Sequence, residues 1–211
     1  MRLVAGLPKP GTWLPFPVAA QRPIAPIAWL AVIIAATSFF VFDPMIALVS
    51  CLLGWTMLAI AVIDAQRFIV PDVLSLPSIP VGLIVARLLD DGYAGHSLVL
   101  EHLGAAILGG ATFYAIKELY YRWRAREGLG LGDVKLAAAA GAWTGLAGLG
   151  YVLLLASVLA ISYVLLLNMR DLRAIRGSTA VAFGVFLAPS IWFVWCANTL
   201  GVDLSLAGLF T

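Results

Sequence analysis

The chain has 211 residues, 63% of them hydrophobic and 11% charged, with a formal net charge of +2 and a mean hydropathy of +1.02. Soluble domains carry about 25% charged residues, so this composition excludes an ordinary soluble protein and points to a lipid bilayer. The small net charge and the lack of a basic block leave no basis for a nucleic-acid partner.

Residues 1–23 contain Pro8, Pro10, Pro15, Pro17 and Pro23, with Pro26 just beyond. A cleavable signal would place an apolar stretch close behind its positive start and end in small residues. We therefore read 1–23 as a Pro-rich cytoplasmic segment, 24–199 as a transmembrane domain and 200–211 as a short C-terminal tail. A helical crossing needs about 20 mostly apolar residues. The spans fall at 24–42, 45–63, 73–89, 103–121, 134–148, 150–168 and 179–199. The predicted fold is all-α, a polytopic membrane helix bundle of about seven transmembrane helices.

Asp43-Pro44 separates the first two spans, because proline does not continue a helix interior. Pro77 and Pro80 are expected near the start of the third span, where lost backbone bonds cost least. The apolar run 134–168 is divided into a hairpin, with Gly145, Gly148 and Gly150 offering the turn. Charge placement requires this division. With seven crossings, Arg2, Lys9 and Arg22, then Arg67, then Lys117, Arg122, Arg124 and Arg126, then Arg170, Arg173 and Arg176 all fall on one side, the cytoplasm. Asp43, Asp90, Asp91, Glu101 and Asp203 fall on the other, with only Arg87 nearby as a basic residue. Most of the seven tryptophans are expected near span ends, as interfacial anchors.

This parity brings two carboxylates to one membrane face. Asp64 ends the second span, and Asp133, 69 residues later, begins the fifth. Asp133 follows Gly128, Gly130 and Gly132 and precedes the stretch from Leu136 to Asn168, which has no charged residue. An ionisable group at the edge of hydrocarbon is costly and asks for a reason. As a helix N-cap, Asp133 would satisfy backbone N–H groups and suit the helix dipole. Alternating glycines also let a peptide substrate approach the carboxylate closely. Asp64 lies at a helix C-terminus, where the dipole disfavours a carboxylate, and a contact to Arg67 is its structural alternative. Asp72, after Pro71, suits a cap of the third span. Lys135 points about 200° around the helix from Asp133 and does not pair with it directly. It either snorkels to the interface or holds its charge near the aspartates.

The opposed helix ends push Asp64 and Asp133 toward different protonation states. Aspartic proteolysis uses that asymmetry: one carboxylate takes a proton from the attacking water while the other, protonated, hydrogen-bonds the scissile carbonyl. No Ser-His-Asp or Cys-His set competes, since His96 and His102 belong to the opposite side as exposed loop or interface residues. Cys51 and Cys196 sit in apolar runs and suit core packing, neither a disulfide nor a zinc site. This face supplies too few ligands for a metal, and no metal or cofactor is expected.

Ile63-Asp64, then Ile69-Val70-Pro71-Asp72-Val73-Leu74, then Gly130-Leu-Gly132-Asp133-Val-Lys135-Leu136 with Gly141, resemble the type IV prepilin peptidases. Residues 182–189, Ala-Phe-Gly-Val-Phe-Leu-Ala-Pro, resemble that family's Phe-Gly-containing last span. The resemblance implies an aspartic endopeptidase in the bacterial cytoplasmic membrane, multi-pass, with its active site facing the cytoplasm. The catalytic pair maps onto Asp64 and Asp133, with Asp72, Lys135, Gly130, Gly132 and Pro71 at supporting positions. The implied substrates are prepilins or pseudopilins with a short basic leader. Longer members carry paired C-x-x-C motifs and also methylate the new N-terminus. Without those motifs in this sequence, peptidase activity is expected and methylation is not. Gly-x-Gly-Asp alone also occurs in presenilin-like intramembrane proteases acting on other substrates, but the Pro71-Asp72 element favours the prepilin reading. A small ion-coupled transporter would place its carboxylates near mid-bilayer on broken helices. Here both lie at span ends.

Overall fold

Apolar runs of this length satisfy their own backbone by forming helices, and helices make up the regular structure of the described residues. The computed structural model describes residues 24–89, 95–124, 128–170 and 181–202. The elements are α1 (Ile24–Val41), α2 (Pro44–Arg67), α3 (Asp72–Leu88), α4 (Gly95–Arg124), α5 (Leu131–Arg170) and α6 (Gly184–Thr199). Residues 1–23 and 203–211 lie outside the described residues, and so do Asp90, Asp91, Arg126, Arg173 and Arg176.

The 40 residues of α5 are not one rod. Gly145 has φ 68 and ψ −172, a backbone region that is essentially glycine's alone. The first limb, 131–144, runs antiparallel to α4: Gly141 lies on the Ala105 backbone, and Gly109 meets the carbonyl of Ala137. The second limb, 146–170, returns along α6, with Asn198 Nδ2 donating to the Thr144 carbonyl at 3.3 Å and the rings of Tyr163 and Phe186 5.5 Å apart. A straight helix would carry Tyr163 about 45 Å from Asp133. Tyr163 instead packs two residues from Gly184, at the Asp133 end of the bundle. The expected hairpin is present, and with it the described residues form seven helical limbs.

Two side chains of α4 close this turn. In a continuous helix the N–H of Leu146 would donate to the carbonyl of Ala142. Here Leu146 N–H donates to Glu101 Oε1 at 3.3 Å, and the Ala142 carbonyl accepts from His102 Nδ1 at 2.9 Å. Glu101 and His102 thus replace both halves of the broken bond. His102 is a half-buried structural residue, a correction to its expected place in an exposed loop or interface.

The first limb is the centre of the bundle. Leu136, Ala137, Ala139, Ala140 and Ala142 are fully buried, and small residues let the neighbouring backbones approach. Trp143 lies against Gly82 and donates through Nε1 to the Ser78 carbonyl at 2.8 Å, fastening α3 to α5. Pro77 and Pro80 are inside α3, further along than expected. On the other flank Ser38 and Ser50 hydrogen-bond at 2.8 Å, and Trp192 Nε1 donates to the Ser50 carbonyl, joining α1, α2 and α6. Trp143, Trp192 and Trp195 are therefore packing residues, whereas Trp29 and Trp123 remain on the outer surface. Cys196 lies 3.5 Å from Ser50, and neither cysteine is in a disulfide.

Pro44–Arg67, Leu98–Arg124 and Leu131–Leu167 are long and apolar enough to cross a membrane, and Ala25–Val41 and Gly184–Thr199 are shorter apolar helices. The outward faces carry large apolar side chains such as Phe40, Leu52, Val73, Ile107 and Ile161. The result is an all-α membrane helix bundle.

Candidate active site

Helix α2 ends one turn beyond Asp64. Phe68 adopts the left-handed conformation (φ 55, ψ 35), and its N–H donates to the Asp64 carbonyl at 2.8 Å. This cap turns the chain into a short strap, 68–71, that leads to α3. Pro71 caps α3, its carbonyl accepting from the N–H groups of Leu74 and Ser75 at 3.1 Å. Asp72 is then the first helical residue, a correction to its expected place as the cap of the third span, because Pro71 takes the capping position.

The Asp64 side chain is only 4% exposed, and its Oδ2 is buried without a hydrogen-bond partner. The expected contact with Arg67 is not among the two ion pairs of the described residues, Arg122–Glu118 and Lys135–Asp72. The Asp64 carboxylate instead faces the backbone of Gly184 and Val185 at the start of α6. Unsatisfied N–H groups at a helix N-terminus suit an anion, so the end of α2 is completed by the beginning of α6. Gly184 is required there by space, because a Cβ would lie 2.7 Å from Asp64 Oδ2. Gly184 belongs to the Phe-Gly pair of residues 182–189, whose place beside Asp64 the sequence does not reveal.

Asp133 lies in the first turn of α5, third in the helix rather than at its cap. Its carboxylate reaches back to the N–H of Gly130, as an acidic side chain at that position does in a capping box. Val70 packs against Gly132, directly before Asp133, and against Gly184, beside the Asp64 carboxylate, so the fold places the two aspartates at one end of the bundle. Lys135 turns away from Asp133, as its position on the helix requires. Its Nζ pairs with Asp72 Oδ1 at 2.5 Å, joining α5 to the start of α3.

The glycines before Asp133 differ in what they make possible. A Cβ at Gly132 would lie 2.6 Å from Val70 Cβ, and one at Gly128 would lie 2.5 Å from the Tyr120 ring. A Cβ at Gly130 would meet Asp133 Oδ2 at 3.6 Å, an ordinary contact. Close packing therefore explains Gly128 and Gly132, but not Gly130.

Two carboxylates at one buried edge, one with an unpartnered oxygen, have the elements of a general acid–base pair. The type IV leader peptidase family model matches residues 51–165, which include Asp64, Asp72, Asp133 and Lys135 but stop short of Gly184. The chain is 34% identical over 166 residues to the prepilin leader peptidase/N-methyltransferase of Pseudomonas putida, covering 77% of this chain and 54% of that one. Against the protein of the same name from Escherichia coli K12 it is 36% identical over 136 residues, covering 62% and 55%. For Aeromonas hydrophila the figures are 33% over 186 residues, 83% and 58%. The chain spans about half the length of these curated relatives. No solved structure matches it. The family match and the two aspartate motifs within it lead to one conclusion: this chain belongs to the type IV leader peptidase family.

Proposed function

We propose that the protein is an aspartic endopeptidase of the bacterial cytoplasmic membrane that removes the short basic leader of type IV prepilins or pseudopilins. The observation that carries this reading is that Asp64 and Asp133 lie at one end of the bundle, beside glycines packed on the same Val70, with Asp64 Oδ2 buried and unpartnered. One carboxylate takes the proton of a water molecule as it attacks the scissile carbonyl. The other, protonated, donates to the carbonyl oxygen and then helps return a proton to the departing amine. Like charges held close do not both ionise readily, so the pair shares one proton between the steps.

Asp72 and Lys135 act in support, holding the start of α3 on α5, with Pro71 directing the strap into that helix. The Asp64 end also carries Arg67, Lys117, Arg122 and Arg124, together with the exposed aromatic residues Tyr120, Tyr121 and Trp123. A basic and aromatic rim of this kind suits the cytoplasmic interface of a membrane, where the leader junction of a prepilin would lie.

The test is cleavage of a co-expressed prepilin, followed as a mobility shift in membranes, by wild type and by the Asp64→Asn and Asp133→Asn variants. Each variant is first shown to insert at the wild-type level. Wild type is expected to cut and both variants to be inert, with losses of at least about 1,000-fold, the scale seen when a member of a catalytic unit is removed. An Asn variant with near-normal cutting would remove that residue from the mechanism.

A further inference from the structure

The strap between α2 and α3 touches both aspartate-bearing helices, and one of its side chains packs against the starts of α5 and α6. Val70 is 6% exposed although it lies in neither helix. Its Cβ occupies the space a Cβ on Gly132 would need, at 2.6 Å, in the residue directly before Asp133. Its Cγ2 lies 3.3 Å from where a Cβ on Gly184 would be, and Gly184 borders the Asp64 carboxylate. The isopropyl group is therefore seated on two glycines, one beside each aspartate.

The strap is held at both ends. Behind Val70, the Phe68 N–H donates to the carbonyl of Asp64 itself. Ahead of it, Asp72 pairs with Lys135, two residues past Asp133. A rigid side chain in a fixed strap transmits its own size to whatever it touches, because close-packed interiors do not deform freely. Valine is suited to this, since its branched Cβ leaves one strongly preferred side-chain rotamer in many settings.

We propose that Val70 is a positioning residue that sets the spacing of the Asp64 and Asp133 carboxylates by acting as a spacer between Gly132 and Gly184. It touches neither substrate nor water and acts through the two aspartates. The inference rests on the assignment of those aspartates as the catalytic pair. A spacer of this kind affects the chemical step and leaves substrate binding along the outer helix faces largely alone, so its loss appears in kcat rather than KM.

The test uses the purified full-length enzyme in detergent, with a prepilin at graded concentrations and variants that insert and melt as wild type does. Val70→Ala is expected to lower kcat tenfold or more with KM within about twofold, since a displacement of about 1 Å is enough for losses on the order of 100-fold. Val70→Thr keeps the branched shape but buries a hydroxyl, a cost to stability, and its kcat is expected to stay within about threefold of wild type. Gly132→Ala is expected to lose about 100-fold. Adding Val70→Gly in the same chain, which vacates the space the new methyl needs, is expected to restore at least tenfold of that loss.

Equal losses for Val70→Ala and Val70→Thr would make Val70 apolar packing and overturn the proposal. So would a double variant no better than Gly132→Ala, or a Val70→Ala enzyme with wild-type kcat. Should Val70→Ala fail to insert, Val70→Thr and the Gly132→Ala pair still decide. The Asp64→Asn and Asp133→Asn enzymes run alongside separate the two ideas. If they remain active the catalytic assignment falls, whereas if they are inert and Val70→Ala is normal, the spacer role alone falls.

Discussion

At the scale of single residues, the three glycines ahead of Asp133 look alike in sequence and differ in space. A methyl group at position 132 would penetrate Val70, and one at 130 would sit at ordinary distance from Asp133 Oδ2. Gly130→Ala is therefore expected to cost at most about threefold in cleavage, against about 100-fold for Gly132→Ala, measured side by side at equal membrane levels. The Asp72–Lys135 pair makes a second contrast. Asp72 is 60% exposed in its side chain, and an ion pair so open to solvent contributes about 0–1 kcal/mol. Lys135→Met is thus expected to move the melting temperature by no more than a few degrees, read by thermal unfolding in detergent. A large drop would show that the pair carries more of the fold than its exposure implies. Asp64, Asp72, Asp133 and Lys135 were all legible in the sequence because each is a charge at the border of an apolar run. Val70 and Gly184 lie within the quoted motifs, but their contacts were not legible, because an aliphatic residue and a glycine show no partner until their neighbours are known.

At the scale of elements, the hairpin in α5 is where the chain departs most from regular structure. Gly145 occupies a conformation that costs other residues about 1–3 kcal/mol, and a Cβ there would also crowd His102 and Glu101 at 3.1 and 3.2 Å. Gly145→Ala is expected to reduce stability by about that amount or more, seen as lower insertion and a lower melting temperature. The α4 side chains that replace the broken bond predict an order. His102→Ala leaves the buried Ala142 carbonyl unsatisfied and is expected to cost about 1–3 kcal/mol, whereas Glu101→Ala exposes the N–H of surface residue Leu146 and is expected to cost less. Denaturation of the two variants in the same detergent checks it. The hairpin itself was legible, from the glycines and from the side on which the basic residues fell. Its closure by Glu101 and His102 was not, since the two lie more than 40 residues upstream and read as loop residues.

At the scale of the whole molecule, the proposed orientation makes a labelling prediction. Arg67 and Leu89 lie at opposite ends of the bundle, both exposed. In a background with Cys51 and Cys196 replaced by serine, a cysteine at 89 is expected to react with a membrane-impermeant maleimide applied from the periplasmic side. A cysteine at 67 is expected to react only after the membrane is opened. Labelling of both from one side would overturn the seven-crossing arrangement.

Hydropathy, proline and glycine punctuation, and charge placement by themselves determined the class of the fold, the hairpin within α5 and the end of the bundle at which both aspartates lie. Those properties follow from the cost of exposing backbone or charge to hydrocarbon, which acts on each segment separately and is written locally. Tertiary structure alone decided which helix faces the Asp64 carboxylate, which tryptophans pack inside and which side chain packs on both Gly132 and Gly184. Such matters depend on which surfaces meet when helices pack, and a contact between Val70, Gly132 and Gly184 spans more than 110 residues. No local pattern encodes a distance of that kind.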